Sequence, residues 1–531
     1  MPVNRTSSAS AVSQNDPVKN KHVLSWALWD WGSSAISTVV VTFVFAVYIT
    51  SSQFGDPDDN SATLSFGLMI AGICIALLAP ITGQRADRAG KGVRWLAINS
   101  GLVVASTVAL YFINPRGDFL PSFLQFGQTP QESMLIIGIF LLGAGSVFME
   151  FAYVNYNAML ASISTEKTIG RISGLGWGLG YLGGIVVMLL VYVGFIAPEV
   201  GWFGVTAENG QAVRVSMLFT AGWFALFGIP VLISQYRLNK ARAAARLLER
   251  ADGEADAETV AGMVRIADAG GKGESILQTY RHLGRTIAAL YRNSPSALLF
   301  LCASAVFRDG LAGVFAFGGV IAAGTFAFTD SEVIYFGVAA NVVAGIATVS
   351  FGYLDDRLGA KRVILISLWS MIAAGLGIFL FHSYGKIVFW LLGLVLCIFV
   401  GPAQSASRTY LGRLIPPGRE GEIFGLYATT GRAVSFLTPA MFYGCIKLGR
   451  SILGPDANVQ YWGILGIVIV LALGLGLLMP VRRYKALREA ARTTWGKSAA
   501  KLLAGKARRD EKKSRELWGV EEIREEVPVD A

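Results

Sequence analysis

The feature that most constrains this chain is a series of apolar segments, each long enough to cross a membrane. A helix of about 20 apolar residues spans the hydrocarbon core of a bilayer. Only 15% of the 531 residues are charged, against about 25% in soluble domains. The sequence therefore predicts an all-α membrane protein. We place twelve transmembrane helices, called spans one to twelve, at roughly 25–50, 64–84, 93–113, 134–161, 171–196, 214–235, 296–324, 332–352, 362–381, 386–412, 421–446 and 459–480.

Basic residues mark one end of the predicted bundle. The loop at 51–63 carries Asp56, Asp58 and Asp59 and no basic residue. Because Lys and Arg accumulate in cytoplasmic loops, we expect the basic end, both termini and the linker 236–295 to be cytoplasmic, in the plasma membrane of a bacterium. Eleven Lys and Arg lie in four alternate short loops, which define the basic-loop end: 84–94, 162–171, 353–362 and 411–421.

Two motifs occur once in each half of the chain. "GQRADRAGK" at 83–91 and "GYLDDRLGAK" at 352–361 share the spacing of Gly, Asp-Arg and Gly at an offset of 269 residues. "GRISGLGWGLG" at 170–180 and "GEIFGLYATTG" at 421–431 share three glycines at an offset of 251. Such repeats predict two parallel six-helix halves around a midplane site. The expected units are an N-terminal segment 1–24, a first half 25–235, the linker 236–295, a second half 296–480 and a basic tail 481–531.

Four charged residues are predicted near the middle of the membrane. Glu150, Arg308, Asp309 and Arg432 lie about 16 to 20 Å from the basic-loop end of a core about 30 Å thick. Intramembrane charge usually marks a functional site. One hypothesis is that an arginine binds a substrate carboxylate while a carboxylate takes an ammonium group or a coupling proton. The alternative is that these residues form structural ion pairs between helices.

A second, polar group lies closer to the basic-loop end. Tyr153 and Asn157 share a helix face with Glu150, and Gln404 lies four residues before Arg408 in span ten. Side chains at these spacings are neighbours on a helix surface. We interpret them as a cavity wall, or alternatively as hydrogen bonds between helices.

Asp30 and Arg408 are predicted at similar shallow depths, about 8 and 6 Å from the basic-loop end. Opposite charges in spans one and ten could form a cytoplasmic gate that is made in one state and broken in another. The alternative is that Asp30 is an anchor near a helix N-terminus, within a belt of interfacial tryptophans.

The repeated loop resembles the signature of the major facilitator superfamily. Four longer stretches resemble the vacuole-effluxer family, also called the unknown major facilitator family: "SWALWDWGSSAISTVVVTFVFAVYI", "GRISGLGWGLGYLGG", "FRDG" and "SASRTYLGRLIPPGREGEIFGLYATTGRAVSFLTP". The resemblance implies that spans one, four, seven and ten line a central cavity bordered by span eleven. It also implies that the loop residues steady one conformation and do not bind substrate: Gly83, Asp87, Arg88 and Gly90, with Gly352, Asp356, Arg357 and Gly359.

The expected function is secondary transport by alternating access. The solute is expected to be small and polar, an amino acid or a related zwitterion or organic anion, because fungal members of the resembled family are associated with export of amino acids. A coupling proton and membrane lipid are the other expected partners, with no nucleic acid, and the chain is expected to work as a monomer. The sequence has no Walker-type loop, and we expect no enzyme activity, metal or cofactor. The alternative function is a non-transporting membrane sensor with the same fold.

Overall fold

A computed structural model describes most of the chain. It covers residues 20–250 and 295–481 and isolated positions between 281 and 291. The gaps within these ranges are 89–90, 119–120, 122–123, 126, 128, 166, 415–419 and 455–457. The predictions for most of the N-terminal segment, the second part of the linker and the tail therefore lie outside the described residues.

Helices occupy all twelve predicted spans, which confirms the all-α membrane fold. Within the described residues, ten helices are long and apolar enough to cross a membrane by themselves. The remaining two spans are eleven, which is divided, and twelve, which has 17 residues. In order, the spans are Asn20–Ile49 in three segments, Pro57–Arg88, Gly92–Ala109, Pro130–Ile163, Ile169–Val191, Gln211–Arg250, Pro295–Phe326, Asp330–Leu358, Ala360–Leu380, Lys386–Leu414 in three segments, Glu420–Ala433 with Leu437–Leu453, and Trp462–Leu478.

Span eleven departs from its prediction as one uninterrupted segment. It ends as a helix at Ala433 and begins again at Leu437. Pro439 explains the break, because proline has no N–H to donate and its ring clashes with the carbonyl four residues earlier. The same proline is tolerated in the first turn of the second segment, where N–H groups have no intrahelical partner. The break lies next to the predicted midplane charge Arg432.

The two large hydrophobic cores among the described residues correspond to the two halves. One core contains residues of the first half alone. The other is built from the second half but also takes in Ile75 and Ala79 of span two and Phe151 and Val154 of span four. The halves therefore adjoin through apolar packing of spans two and four against span eleven and its neighbours.

The repeated glycines form close contacts between the halves. A Cβ atom on Gly170 of span five would lie 2.7 Å from the carbonyl oxygen of Gly352 in span eight. The other motif pair makes the equivalent contact: Gly83 of span two packs against Gly421 at the start of span eleven. A Cβ atom on Gly83 would clash with the Gly421 carbonyl. Small residues allow membrane helices to approach this closely. The first glycine of each motif thus packs on the first glycine of a motif from the opposite half.

Candidate functional site

An ion pair joins the two halves near the middle of the bundle. Nη2 of Arg432, in the last turn before the break in span eleven, lies 3.1 Å from Oε2 of Glu150 in span four. The side chains are 42% and 21% exposed. Both charges are therefore accessible to a small solute, in contrast to a pair sealed inside a core. The structure brings these two predicted site residues together.

Arg308 approaches the same region from span seven. Its guanidinium carbon lies 3.9 Å from the centre of the Tyr427 ring, and Nη1 donates to the Tyr427 carbonyl at 3.3 Å. A Cβ atom on Gly431 would lie 3.3 Å from that same Nη1. Arg308 therefore places a second positive charge beside the residue that precedes Arg432.

Asp309 points elsewhere. Its side chain is buried, and Oδ2 accepts a hydrogen bond of 2.6 Å from the backbone N–H of Thr438, beyond the break in span eleven. Adjacent residues on a helix point about 100° apart, which explains why Asp309 and Arg308 reach opposite sides of the break. Of the four predicted midplane charges, Glu150, Arg432 and Arg308 lie in one region. Asp309 lies on the other side of the break in span eleven, against Thr438.

A second ion pair between the halves lies nearer the basic-loop end. Nη1 of Arg408 in span ten is 3.5 Å from Oδ2 of Asp30 in span one, and the two side chains are only 4% and 9% exposed. Tyr156 donates its hydroxyl to the same Asp30 oxygen at 2.9 Å. The two residues predicted as a gate are therefore in contact and shielded from solvent.

Arg408 makes further contacts across the halves. Nε donates to the Ser173 hydroxyl at 2.9 Å, and Nη2 donates to the Ser173 carbonyl at 2.8 Å. Nη1 also donates to Oδ1 of Asn157 at 3.1 Å. Asn157, predicted as cavity wall, thus belongs to this buried layer. We call the group Asp30, Tyr156, Asn157, Ser173 and Arg408 the polar lock.

Aromatic rings enclose the polar lock. The guanidinium of Arg408 lies 4.9 Å from the Trp26 ring centre and 5.8 Å from that of Trp177. Trp26 and Trp29 stack on Tyr156 with ring centres 4.5 and 4.3 Å apart. Both tryptophans are fully buried. The prediction that the tryptophans around Asp30 form an interfacial belt is therefore wrong for these two, since they pack inside the first half.

Tyr153 and Gln404 are the two remaining residues of the predicted cavity wall. The Tyr153 hydroxyl is 3.1 Å from the Ser33 hydroxyl, and its ring meets the edge of Trp29 at 4.9 Å. Gln404 is half-buried in span ten. Tyr153 therefore tethers span four to span one as well as lying one turn from Glu150.

The repeated loop in the second half also contacts the opposite half. Asp356 accepts hydrogen bonds from the backbone N–H groups of Gly170 at 2.7 Å and Arg171 at 3.0 Å, at the start of span five. An acidic group at a helix N-terminus is favoured by the helix dipole.

The other residues of the repeated loop differ in what the structure shows. Gly359 ends span eight with φ of +88°, a backbone region open mainly to glycine. Arg357 is exposed beside it, whereas Gly90 and the side chains of Asp87 and Arg88 lie outside the described residues.

Several residues that bond neighbouring spans were not predicted from the sequence. Buried Arg413 bonds both Asp355 and Asp356, and Thr409 donates to Asp355. Arg413 is one of the eleven basic residues of the short loops, and its position five residues after Arg408 places it at the end of the same span. Nothing in the sequence marks Ser173 as a contact residue, because a serine is common in a glycine-rich helix. These residues became visible only once spans five, eight and ten were packed together.

Many of the polar contacts between the halves lie toward the basic-loop end. The polar lock, the Asp356 contact and the paired glycines all lie between the basic-loop end and the Glu150–Arg432 pair. Thr429 of span eleven adds a hydrogen bond to the Ala76 carbonyl of span two at 3.0 Å. The basic-loop end is therefore closed by direct contact between the halves.

Known proteins share this sequence pattern and architecture. Residues 62–491 match the profile of the family described as "Vacuole effluxer Atg22 like". The uncharacterized MFS-type transporter YxiO of Bacillus subtilis is 23% identical over 465 residues, covering 86% of this chain and 93% of that protein. Autophagy-related protein 22-2 of Aspergillus clavatus is 27% identical over 302 residues, covering 52% of this chain but only 44% of the fungal protein.

Solved structures show the same fold at low identity. The proton:xylose symporter XylE aligns with a TM-score of 0.63 and 14% identity, over 89% of this chain and 98% of its own. A bacterial homologue of the iron transporter ferroportin aligns with a TM-score of 0.59 and 15% identity, over 87% and 98%. The family match covers most of the chain, and the fold agrees with it. The chain belongs to the vacuole effluxer Atg22-like family, and it is an integral membrane protein with the fold of the major facilitator superfamily.

Proposed function

We propose that the chain transports a small zwitterion or organic anion, with an amino acid as the best-fitting solute, by alternating access around the Glu150–Arg432 pair. The observation that carries this proposal is the pair itself. It joins opposite charges from the two halves, it is partly exposed, and it lies directly above a closed end of the bundle.

The chemistry of the pair suits a solute with both charges. A carboxylate can take two hydrogen bonds from an arginine guanidinium, and Arg308 adds positive charge nearby. The ammonium group of the same solute can then pair with the Glu150 carboxylate, which is no longer bonded to Arg432. A zwitterion therefore replaces the ion pair without leaving a charge unpaired, and an unpaired charge in this setting is costly.

The closed basic-loop end defines the state of the transporter. If that end is cytoplasmic, as the positive-inside rule predicts, the structure is an outward-facing state in which the solute site connects to the opposite side. Opening toward the cytoplasm requires separation of the polar lock and of the glycine contacts. We propose a bacterial plasma membrane location with cytoplasmic termini, and a monomer as the working unit, because each chain contains both halves of the site.

The direction of transport is proposed as efflux, on the family description. A coupling proton is proposed as the driving ion, because the midplane region offers more than one carboxylate.

A ligand-stabilisation screen of the purified protein tests the proposal. A solute that binds only the folded state raises the melting temperature, so amino acids, small peptides, sugars and organic anions should be compared. We expect stabilisation by amino acids or organic anions in the wild type and in Arg116→Gln, and its loss in Arg432→Gln. Arg116 is the matched control because it forms an exposed pair with Glu208 at the same 3.1 Å distance.

Two outcomes would contradict the proposal. Stabilisation that survives Arg432→Gln unchanged would place the solute elsewhere. No stabilisation and no vesicle transport across the whole panel would favour the non-transporting sensor.

A further inference from the structure

We propose that Asp309 is a proton-binding site that controls the junction between the two segments of span eleven. The inference rests on the proposed transport function and deepens it, because it names the carboxylate through which a coupling proton acts. It assigns Asp309 a role distinct from that of Glu150, which contacts the solute.

The first step is the position of the carboxylate. Asp309 Oδ2 accepts from the backbone N–H of Thr438 at 2.6 Å, and Thr438 is the second residue of the helix Leu437–Leu453. The first N–H groups of a helix have no intrahelical acceptor, and a negative charge there is favoured by the dipole. Asp309, supplied by span seven, therefore holds the beginning of this helix in place.

The second step is the absence of a cation partner among the described residues. The nearest basic groups are engaged elsewhere: Arg308 on the Tyr427 ring and carbonyl, and Arg432 on Glu150. At the adjacent Gly310, span twelve contributes the apolar Leu471.

The basic residues of span ten are engaged elsewhere as well, since Lys386, Arg408 and Arg413 pair with Glu332, Asp30 and Asp355. Span ten meets span seven at Phe300, whose ring centre is 4.1 Å from that of Tyr410, about 13 Å along the helix from Asp309. A buried carboxylate without a cation partner is costly when ionised. Binding a proton removes that cost and weakens the hold on Thr438.

The third step is the connection to the transport site. Arg308 bonds the segment before the break and Asp309 bonds the segment after it, so this dipeptide fixes the angle between the two segments. Arg432 lies two residues before the break at Val434–Phe436. A change in that angle therefore shifts Arg432 relative to Glu150 in the opposite half. Proton binding at Asp309 is thus linked to the ion pair that the solute must open.

Hydrogen exchange measured by mass spectrometry tests this site without any solute. Peptides covering residues 434–442 should be followed in the wild type over a pH series, with rates corrected for the intrinsic pH dependence of exchange. We expect protection at the start of the second segment to fall several-fold as pH is lowered. Asp309→Asn, which carries no titrating group, should show the low protection at every pH, whereas Asp309→Glu should retain a pH-dependent change.

Glu332→Gln is the matched control, because Glu332 also accepts from a helix N-terminus through its capping box but bonds Thr329 and Lys386 and not span eleven. It should leave the exchange of residues 434–442 as in the wild type. Protection that is independent of pH in the wild type would overturn the proposal, even if Asp309→Asn fails to fold. A wild-type pH response that persists in Asp309→Asn would also overturn it.

The two proposals fail separately. If Arg432→Gln has no effect on solute binding but the Asp309-dependent exchange is observed, the solute site is wrong and the proton site stands. If solute binding depends on Arg432 while hydrogen exchange near Thr438 is independent of pH, the solute site stands and the proton site is wrong.

Discussion

Arg408 and Asp30 lie 3.5 Å apart across the two halves of the transporter, with their side chains almost fully buried. A buried ion pair is weak evidence for stability, because desolvation offsets much of the attraction. This pair also bonds Tyr156 and Ser173, so its partners come from spans one, four, five and ten. Its arrangement fits a contact that is made when the basic-loop end closes and broken when it opens.

Asp30→Asn should therefore shift the protein toward the state that is open at the basic-loop end. The substitution leaves the Arg408 charge buried without its counter-ion, and removal of one partner of such a pair costs about 3–5 kcal/mol. The cost falls on the closed state. Spin labels at Lys240 and Arg362, exposed positions on opposite halves at this end, should report a longer distance by pulsed electron paramagnetic resonance. The labels require replacement of the native Cys74, Cys302, Cys397 and Cys445.

The double variant Asp30→Asn/Arg408→Gln is the control for that measurement. It removes both charges, so part of the closed population should return. If Asp30→Asn lowers the melting temperature but leaves the label distances unchanged, Asp30 is a structural anchor and the gate hypothesis fails.

Gly425→Ala should also disfavour the closed state. A Cβ atom at Gly425 would lie 2.7 Å from the carbonyl oxygen of Ala79 and 2.8 Å from Cα of Pro80. Because the neighbour is backbone, spans two and eleven must move apart, and overpacking typically costs about 1–3 kcal/mol. The expected results are a lower melting temperature and longer distances between the same spin labels.

Gly444→Ala provides the comparison in the same span. No atom lies within 4 Å of its added Cβ, and alanine favours a helix over glycine by about 0.5–1 kcal/mol. Gly444→Ala should be neutral or slightly stabilising. Equal effects of the two substitutions would show that the contact between spans two and eleven does not limit closure.

Glu150→Gln should change which solutes bind. Solutes that carry an ammonium group lose a charged partner, and a hydrogen bond to a charged group contributes about 1.5–3 kcal/mol, so their affinity should fall roughly 10- to 100-fold. Anions without an ammonium group should bind as well as before or more tightly, because Arg432 no longer has a competing carboxylate. Dissociation constants from melting-temperature titrations would measure both classes, with Glu208→Gln as the matched control. An equal loss for both classes would contradict the assigned role of Glu150.

The capping box of span eight, which lies just before the apolar membrane-spanning stretch Tyr335–Leu358, predicts a pH dependence of stability. Lys386 donates two hydrogen bonds to Glu332, and the Thr329 backbone N–H donates another, so the pKa of Glu332 is lowered from its usual 4.5. A lowered pKa in the folded state stabilises the fold above the unfolded value and loses that effect as pH falls through the folded value. The melting temperature of Glu332→Gln should therefore lie slightly below that of the wild type at neutral pH, and the difference should shrink as the pH falls below 4.5 and through the lowered pKa of Glu332.

Calorimetry or nanoscale fluorimetry in a pH series would measure this difference. Lys386→Gln should reproduce it, because it removes the main cause of the shift. A gap that widened on acidification would show that the box does not stabilise the ionised form.

The sequence by itself determined the spans, the duplication and the depth of each intramembrane charge. Hydrophobic segments and their spacing are local properties, and the positions of Asp30 and Arg408 at similar depths follow from the rise of a helix per residue. The repeat also marked Gly83, Gly170, Gly352 and Gly421 as special, although it gave no reason for them.

Only the tertiary structure decided which of these residues meet. Asp309 and Arg308 are neighbours in sequence, yet Asp309 bonds Thr438 and Arg308 bonds Tyr427, on opposite sides of the break in span eleven. The presence of Pro439 in the sequence was not enough to predict where that break lies. The glycines proved to pair across the halves, motif against motif. The physical reason is that a side chain's partner depends on how distant helices rotate and pack against each other, and helical periodicity specifies only the face on which that side chain lies.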